Sequence, residues 1–488
     1  MPLIPFGEWL PDVAALGSPG ALRAANCFPG PTGYKPAKSL QVTTNALAAR
    51  ARGAISAKDK AGTVYQFAGA ASKLYQLVDQ TWTDVSKSGG YAAGTEEIWD
   101  FVRWKNKILA TDYTDAIQQI EMAAALFSDL TTDFKARRLA VVRDFVVAGN
   151  TNDATDGAVP NRVRWSAFND DTDWTVSAAT QSDYQDLHSG GGVQRILGGE
   201  YGVVLSDRSV RRMTYVGSPA VFQFDEVLPD FGLLSPSAAT RLADIIYFAS
   251  PHGFVALEGG TRSALIGAGK VDKFFLNDLD YSNLHRISSA VDAASGRVLW
   301  AYPGQGSADG LPNRILVYDR GLQKWSLLEI EVDLLWHSLG ASTTLEGLDA
   351  ISASLDALAS SLDSPRWAGG APVLGGFNSA FKSGYFDGSA LAAEIGTGEM
   401  ELAPGRRAIL RAARLAVDGG TATISTGTRN KQEDATVFSP AISARDSGVC
   451  PMRSTARYHR FRVGISGEWN DAVGLWIEPE DVSAAGRR

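Results

Sequence analysis

Six short runs of β-branched and apolar residues recur along the chain, each entered from a turn-like stretch. They are Thr63-Val64-Tyr65-Gln66-Phe67, Lys107-Ile108-Leu109-Ala110, Phe145-Val146-Val147-Ala148, Gly202-Val203-Val204-Leu205, Ile245-Ile246-Tyr247-Phe248 and Arg297-Val298-Leu299-Trp300. Anchored at Val64, Ile108, Val146, Val203, Ile246 and Val298, they lie 44, 38, 57, 43 and 52 residues apart. Most are followed by a second strand pattern, such as Val210 to Val216 or Arg314 to Asp319, and often by a third element bearing an aromatic, such as Trp82, Trp174 or Trp325. Small sheets repeating at this interval bury both faces only by stacking on their neighbours, which is the arrangement of propeller blades. Unrelated strands of β-sandwiches also place turns at short intervals, so that reading stays open beside the propeller.

The expected fold is mostly β: an irregular β-propeller of about six blades, then a smaller C-terminal β-sandwich, with one short helical insertion. The division expected is an N-terminal arm and first strands over 1–62, the propeller over 63–340, a helical and loop insertion over 341–395, and the sandwich over 396–488. The insertion rests on Leu345, Leu348, Ile351, Leu355, Leu358 and Leu362, an apolar stripe at steps of three or four that suits one amphipathic helix. It runs into Ser364-Pro365-Arg366-Trp367-Ala368-Gly369-Gly370, a loop signal.

Composition narrows the function. The 488 residues carry 46 Lys and Arg against 54 Asp and Glu, a net charge of -8, which argues against a protein that grips duplex DNA through its phosphates. No run of 18 apolar residues occurs, and the first residues lack the basic and apolar regions of a secretion signal, so neither a membrane span nor export is expected. Cys27 and Cys450 stand in no ligand or disulfide framework and are expected as free thiols.

No chemistry-bearing pattern emerges. His188, His252, His285, His337 and His459 are scattered, without HExxH spacing. Gly267-Ala268-Gly269-Lys270-Val271 fails as a phosphate loop, with Ala264 where the first Gly belongs and Val271 in place of Ser or Thr, and reads as a turn. The cluster Asn169-Asp170-Asp171-Thr172-Asp173-Trp174 suggests Ca²⁺ or an Asp box, but lacks the glycine and ligand spacing of a calcium loop and suits a solvated turn better. No catalytic, cofactor or metal residue is therefore nominated, and the chain is expected not to be an enzyme. Arginines cluster at Arg137-Arg138, Arg208 to Arg212, Arg406 to Arg414 and Arg453 to Arg462. Each is expected to be salt-bridged strand surface, and together they suggest segregated charge of the kind that sets register between subunits.

Pro5-Phe6-Gly7-Glu8-Trp9-Leu10-Pro11-Asp12, Pro19-Gly20-Ala21, Ala25-Asn26-Cys27-Phe28-Pro29 and Gly33-Tyr34-Lys35-Pro36 open the chain. Further on come Arg211 to Pro219 with Phe222-Gln223-Phe224, Gly232 to Pro236, Ser250 to Phe254, Ile266 to Asp272 and Leu362-Asp363-Ser364. In order and spacing this series resembles the tail nozzle proteins of short-tailed bacteriophages, also called packaged-DNA stabilisation or tail accessory proteins; the family pattern has Val where Cys27 stands. The resemblance implies a virion protein made in the host cytoplasm, a homohexameric tube below the portal and its ring adaptor. Tail spikes or fibres and a tail needle or plug would attach to it, and double-stranded genomic DNA would pass through its lumen without sequence-specific binding. The competing expectation is a carbohydrate-binding or glycosidase-like propeller.

Overall fold

The computed structural model describes residues 3–340, 354, 362, 367, 369–445 and 447–485. The protein is mostly β, and its strands order themselves into antiparallel groups of four. The first group is Gly53–Lys58, Val64–Gly69, Leu74–Val78 and Thr81–Asp84; the next three span residues 100–131, 134–186 and 193–229, and a fifth spans 239–265. Their hairpins turn on residues held at positive φ, Lys105 at 53° and Arg143 at 52°, both in turns that the sequence marks as strand entries.

All six repeating runs fall in the second strand of a group: Val64–Gly69, Lys107–Thr111, Phe145–Asp153, Gly202–Ser206, Ile245–Ser250 and Arg297–Tyr302. A second strand has a sheet neighbour on either side and a blade packed on each face, so its residues are apolar without alternation. Gly202–Ser206 is buried at every position. That continuity made these strands the readable ones.

The innermost strands of successive groups, starting at Gly53, Asp100, Phe134, Val193, Ala239, Ser288 and Leu334, each lie against the next, and the last returns to the first. Six four-stranded sheets stand as separate blades of this ring, and the unit Ser288–Leu328 continues outward into the C-terminal sheet. The ring closes in the blade formed by Leu334–Leu339, Pro372–Phe377 and Lys382–Tyr385, whose outermost strand is Gln41–Ala46 from the other end of the chain. Its register pairs Tyr385 with Gln41, Gly384 with Val42 and Lys382 with Ala46. The ring thus begins at Gly53, before the expected residue 63, and recruits two strands from the stretch expected as an insertion over 341–395. These strands are short and glycine-rich and give little alternation to read. The leucine stripe at 345–362 lies outside the described residues except at Leu362.

The C-terminal part is a single curled sheet. Two long strands, Arg407–Arg429 and Tyr458–Trp476, run through it, with register shifts around Gly419 and Gly420, both at positive φ. The bend brings Leu410, Ala413, Cys450 and Met452 into one core with Ile424, Phe461 and Val463. Ala21–Ala25 joins the two bodies, pairing with Lys324–Leu328 of the ring on one edge and with Ala393–Thr397 on the other. Among the described residues helix is confined to Asp272–Asp278 and short 3₁₀ turns, and none is long and apolar enough to cross a membrane.

Candidate functional site

The inner strands surround an axial cavity of about 240 Å³, lined among others by Arg52, Asp100, Phe101, Arg195, Arg241 and His337. Because every blade has four antiparallel strands, each inner strand enters from the same end, and charged residues just before or early in those strands gather there. Arg195 reaches Asp100 at 3.1 Å, and the second Asp100 oxygen accepts the Leu139 amide at 3.0 Å. Arg137 pairs with Glu97 at 2.7 Å, and Arg286 pairs with Asp333 at 2.6 Å. Arg241 donates to the Gly198 carbonyl and packs over Tyr201, 5.1 Å from the ring centroid.

Two cations at this end have less. Arg52 spends Nη1 on the carbonyls of Ala93, at 3.2 Å, and Gly94. Arg50 has no hydrogen bond or ion pair with any described residue. Burial and then the neighbouring Arg286 bring the Arg50 guanidinium down to about 10, Asp333 pulling the other way. His285 is lowered by burial and then by Arg50. Asp112, near Arg52, is pushed up to about 6 by burial. Asp112 Oδ2 and Asp333 Oδ2 are buried acceptors without a hydrogen-bond partner, so unspent donors and acceptors stand together at this end.

A larger cavity of about 560 Å³ opens where the ring meets the C-terminal sheet, with Phe28, Leu374, Phe386 and Trp469 in its wall beside Lys35 and Arg297. Arg297 is already engaged, with Asp319 at 3.3 Å and over the Phe28 ring at 4.1 Å.

The residues singled out in the sequence are dispersed through the fold. Asp170 caps a local turn through the Thr172 amide at 2.9 Å, while Asp171 is buried and accepts from Trp104 Nε1 and Lys107 Nζ, both at 3.1 Å. This is a turn tied to a core tryptophan, and among the described residues no three His, Cys, Asp or Glu side chains group as metal ligands would. His459 is fully buried with neither ring nitrogen partnered, and burial pushes it down to about 4. Cys27 and Cys450 are free, buried thiols.

The arginine clusters divide. Arg211 is buried against Ser189, and Arg457 and Arg462 pair with Glu401 at 2.9 Å and Glu394 at 3.3 Å, as strand-surface ion pairs. Arg406, Arg407, Arg411, Arg414 and Arg453 are exposed on the C-terminal sheet and form no ion pair with any described residue.

The opening motif and the Ile266 to Asp272 motif meet in space. Gly267 to Val271 is a turn leading straight into the helix Asp272–Asp278. Asp12 accepts the amides of Lys273 and Phe274 at that helix start, each at 2.8 Å. Glu8 pairs with Lys270 at 2.6 Å, and the Trp9 and Phe274 rings pack edge to face with centroids 5.2 Å apart. The sequence shows both motifs but offers no signal that they touch.

No family model matches the chain, and no curated protein matches it. Among solved structures it is similar to the extracellular domain of the putative one component system BT4673 from B. thetaiotaomicron, at 12% identity and TM-score 0.43, over 82% of this chain and 47% of that one. It is also similar to the computationally designed Ika8 protein, at 11% identity and TM-score 0.37, over 78% of this chain and 100% of that one. BamB from Moraxella catarrhalis aligns at 10% identity and TM-score 0.36, over 74% of this chain and 92% of that one. The chain spans about half the length of the BT4673 domain.

Proposed function

We propose that this protein is a structural component of a phage virion, a tail nozzle whose subunits form part of the conduit for DNA ejection and help to hold packaged DNA, and that it works without catalysis. The observation that carries this reading is the contact between the opening motif and the Ile266 to Asp272 motif. Segments about 260 residues apart, which carry the family resemblance by their order, form one docked unit through Glu8–Lys270 and Asp12 on the helix start. That gives their joint occurrence a structural reason.

Two further features favour an assembly part over a binding enzyme. The ring and the C-terminal sheet are hydrogen-bonded into one sheet through Ala21–Ala25, which suits a rigid building block. The exposed arginines of the C-terminal sheet, on a chain of net charge -8, suit heterologous contacts between copies in a closed ring. The conduit would run between subunits. The axial cavity of one ring, about 240 Å³, holds about eight waters at liquid density and admits no duplex.

Native mass measurement and electron microscopy of the purified full chain test this. A ring with six-fold symmetry and no saturable glycan binding is the expected result. A monomer that binds or hydrolyses a saccharide would replace it with the carbohydrate-binding propeller.

A further inference from the structure

The 560 Å³ cavity between the ring and the C-terminal sheet has the size of a small-molecule site and lies where two bodies meet. Leu299 and Leu328, each 1% exposed, give it a floor that belongs to the ring's core, and the partly buried Phe28, Leu374 and Phe386 pack against that core from its wall. Arg297 and Leu299 are alternate residues of the strand Arg297–Tyr302, so they share a face and the guanidinium stands beside the apolar floor.

The Arg297 side chain is 18% exposed and is held from two sides. Its cross-strand neighbour Asp319 accepts from Nε at 3.3 Å, and the guanidinium carbon lies 4.1 Å from the Phe28 ring centroid. These contacts orient the fork and leave both terminal nitrogens without an acceptor among the described residues. The carboxylates of the wall do not supply one. Asp292 accepts from the Ser295 amide and hydroxyl, Asp387 is already partnered, and Asp471 is exposed to solvent. Lys35 and Lys38 are exposed cations of the same lining with no ion pair to any described residue, and Lys35 is the cross-strand partner of Phe28.

We propose that this cavity binds an amphipathic carboxylate, a small acid with an apolar body. The two carboxylate oxygens would take the terminal nitrogens of Arg297 end-on, and the body would cover Leu299, Leu328 and Phe386. A planar carboxylate satisfies two guanidinium donors at once, and a fork already oriented by Asp319 and Phe28 loses little freedom in the pairing. Lys35 and Lys38 add attraction for an anion from the exposed side. The apolar floor requires the body, because a bare anion would leave it in contact with water. The inference is independent of the nozzle reading, which gives this cavity no role.

Calorimetric titration of the full chain with decanoate, below its micelle-forming concentration, tests this. Decanol serves as the body without the charge and acetate as the charge without the body. The native protein is compared with Arg297→Gln, with Leu374→Trp, which fills the cavity from its wall, and with Arg262→Gln, a reference cation that is 84% exposed and outside the lining. One saturable decanoate site per chain is expected, with decanol and acetate weaker by about tenfold or more. Arg297→Gln and Leu374→Trp should each weaken decanoate by about tenfold or more, and Arg262→Gln should leave it unchanged. Because Arg297→Gln also loses the Asp319 pair, circular dichroism accompanies each titration; if that variant does not fold, Leu374→Trp and the decanol comparison decide. No saturable decanoate site, decanol bound as tightly as decanoate, undiminished affinity in a folded Arg297→Gln or Leu374→Trp, or equal weakening in Arg262→Gln would overturn the proposal.

Discussion

Glu399 and Arg429 form a two-pronged ion pair, Nε to Oε1 at 2.7 Å and Nη2 to Oε2 at 2.5 Å, with the Glu399 side chain only 1% exposed. The Glu399 backbone is tied to the N-terminal segment, its amide donating to Ala15 and its carbonyl accepting from Gly17. The pair therefore couples the opening of the chain to the end of the long strand Arg407–Arg429. Arg429→Ala leaves a buried carboxylate uncompensated and is expected to cost about 3–5 kcal/mol, whereas replacing both residues by Met costs less. Urea unfolding of the two variants checks the order.

His459 sets a pH dependence of known sign. Its folded value near 4 lies below the ordinary 6.5, so between these values the unfolded chain takes up a proton that the folded chain refuses. The contribution is complete above pH 6.5 and is lost as pH falls toward 4, by at most about 3 kcal/mol. Asp112 and Asp272, both raised to about 6 by burial, act oppositely: they favour the fold at low pH and lose that contribution as pH rises through 6. The difference between native protein and His459→Met isolates the histidine: the change in unfolding free energy from pH 5 to pH 7 should be less favourable in the variant by about 2 kcal/mol.

Gly69 gives Trp99 its slot. A Cβ built on Gly69 would stand 2.4 Å from the indole Cδ1, and one on its cross-strand partner Gly53 would stand 2.1 Å from the Trp99 carbonyl oxygen. The indole Nε1 donates to the Ala70 carbonyl at 2.8 Å. Gly69→Ala is expected to displace the ring and cost about 1–3 kcal/mol, read as a lower denaturation midpoint and altered tryptophan fluorescence.

Arg411 falls at a register shift opposite Met452 and Arg453, so two exposed like charges face each other across neighbouring strands. Arg453→Glu is expected to stabilise the isolated subunit by about 0.2–1 kcal/mol. If the face joins subunits, as proposed, the same change weakens the assembly. Thermal unfolding and sedimentation on one variant should therefore move in opposite directions.

Legibility in the sequence followed burial. Strands with neighbours on every side, such as Gly202–Ser206 and Ile245–Ser250, are runs of buried residues, and all six were readable. The closing blade was not, because its strands come from 41–46, 334–339, 372–377 and 382–385, and Pro372–Phe377 carries two glycines where alternation would show. The helix Asp272–Asp278 is seven residues long, too short for a period, and its cap comes from Asp12 far away in sequence. The arginine end of the channel was equally hidden. Arg52, Arg195 and Arg241 are far apart in the chain, and only the circular order of the inner strands brings them to one axis.

The strand Gln41–Ala46 finds its partner Lys382–Tyr385 only after more than three hundred further residues have been made. At about 5–20 residues per second this strand leaves the ribosome roughly 20–70 seconds before the edge it must join. Through that interval each nascent chain holds an open ring, with an unpaired strand at one end and, later, an unpaired blade edge at the other, both able to accept a strand from another nascent copy. Closure within one chain is then a race against exchange between chains, and the yield of native subunits should fall as their rate of synthesis, and so the local concentration of open rings, rises.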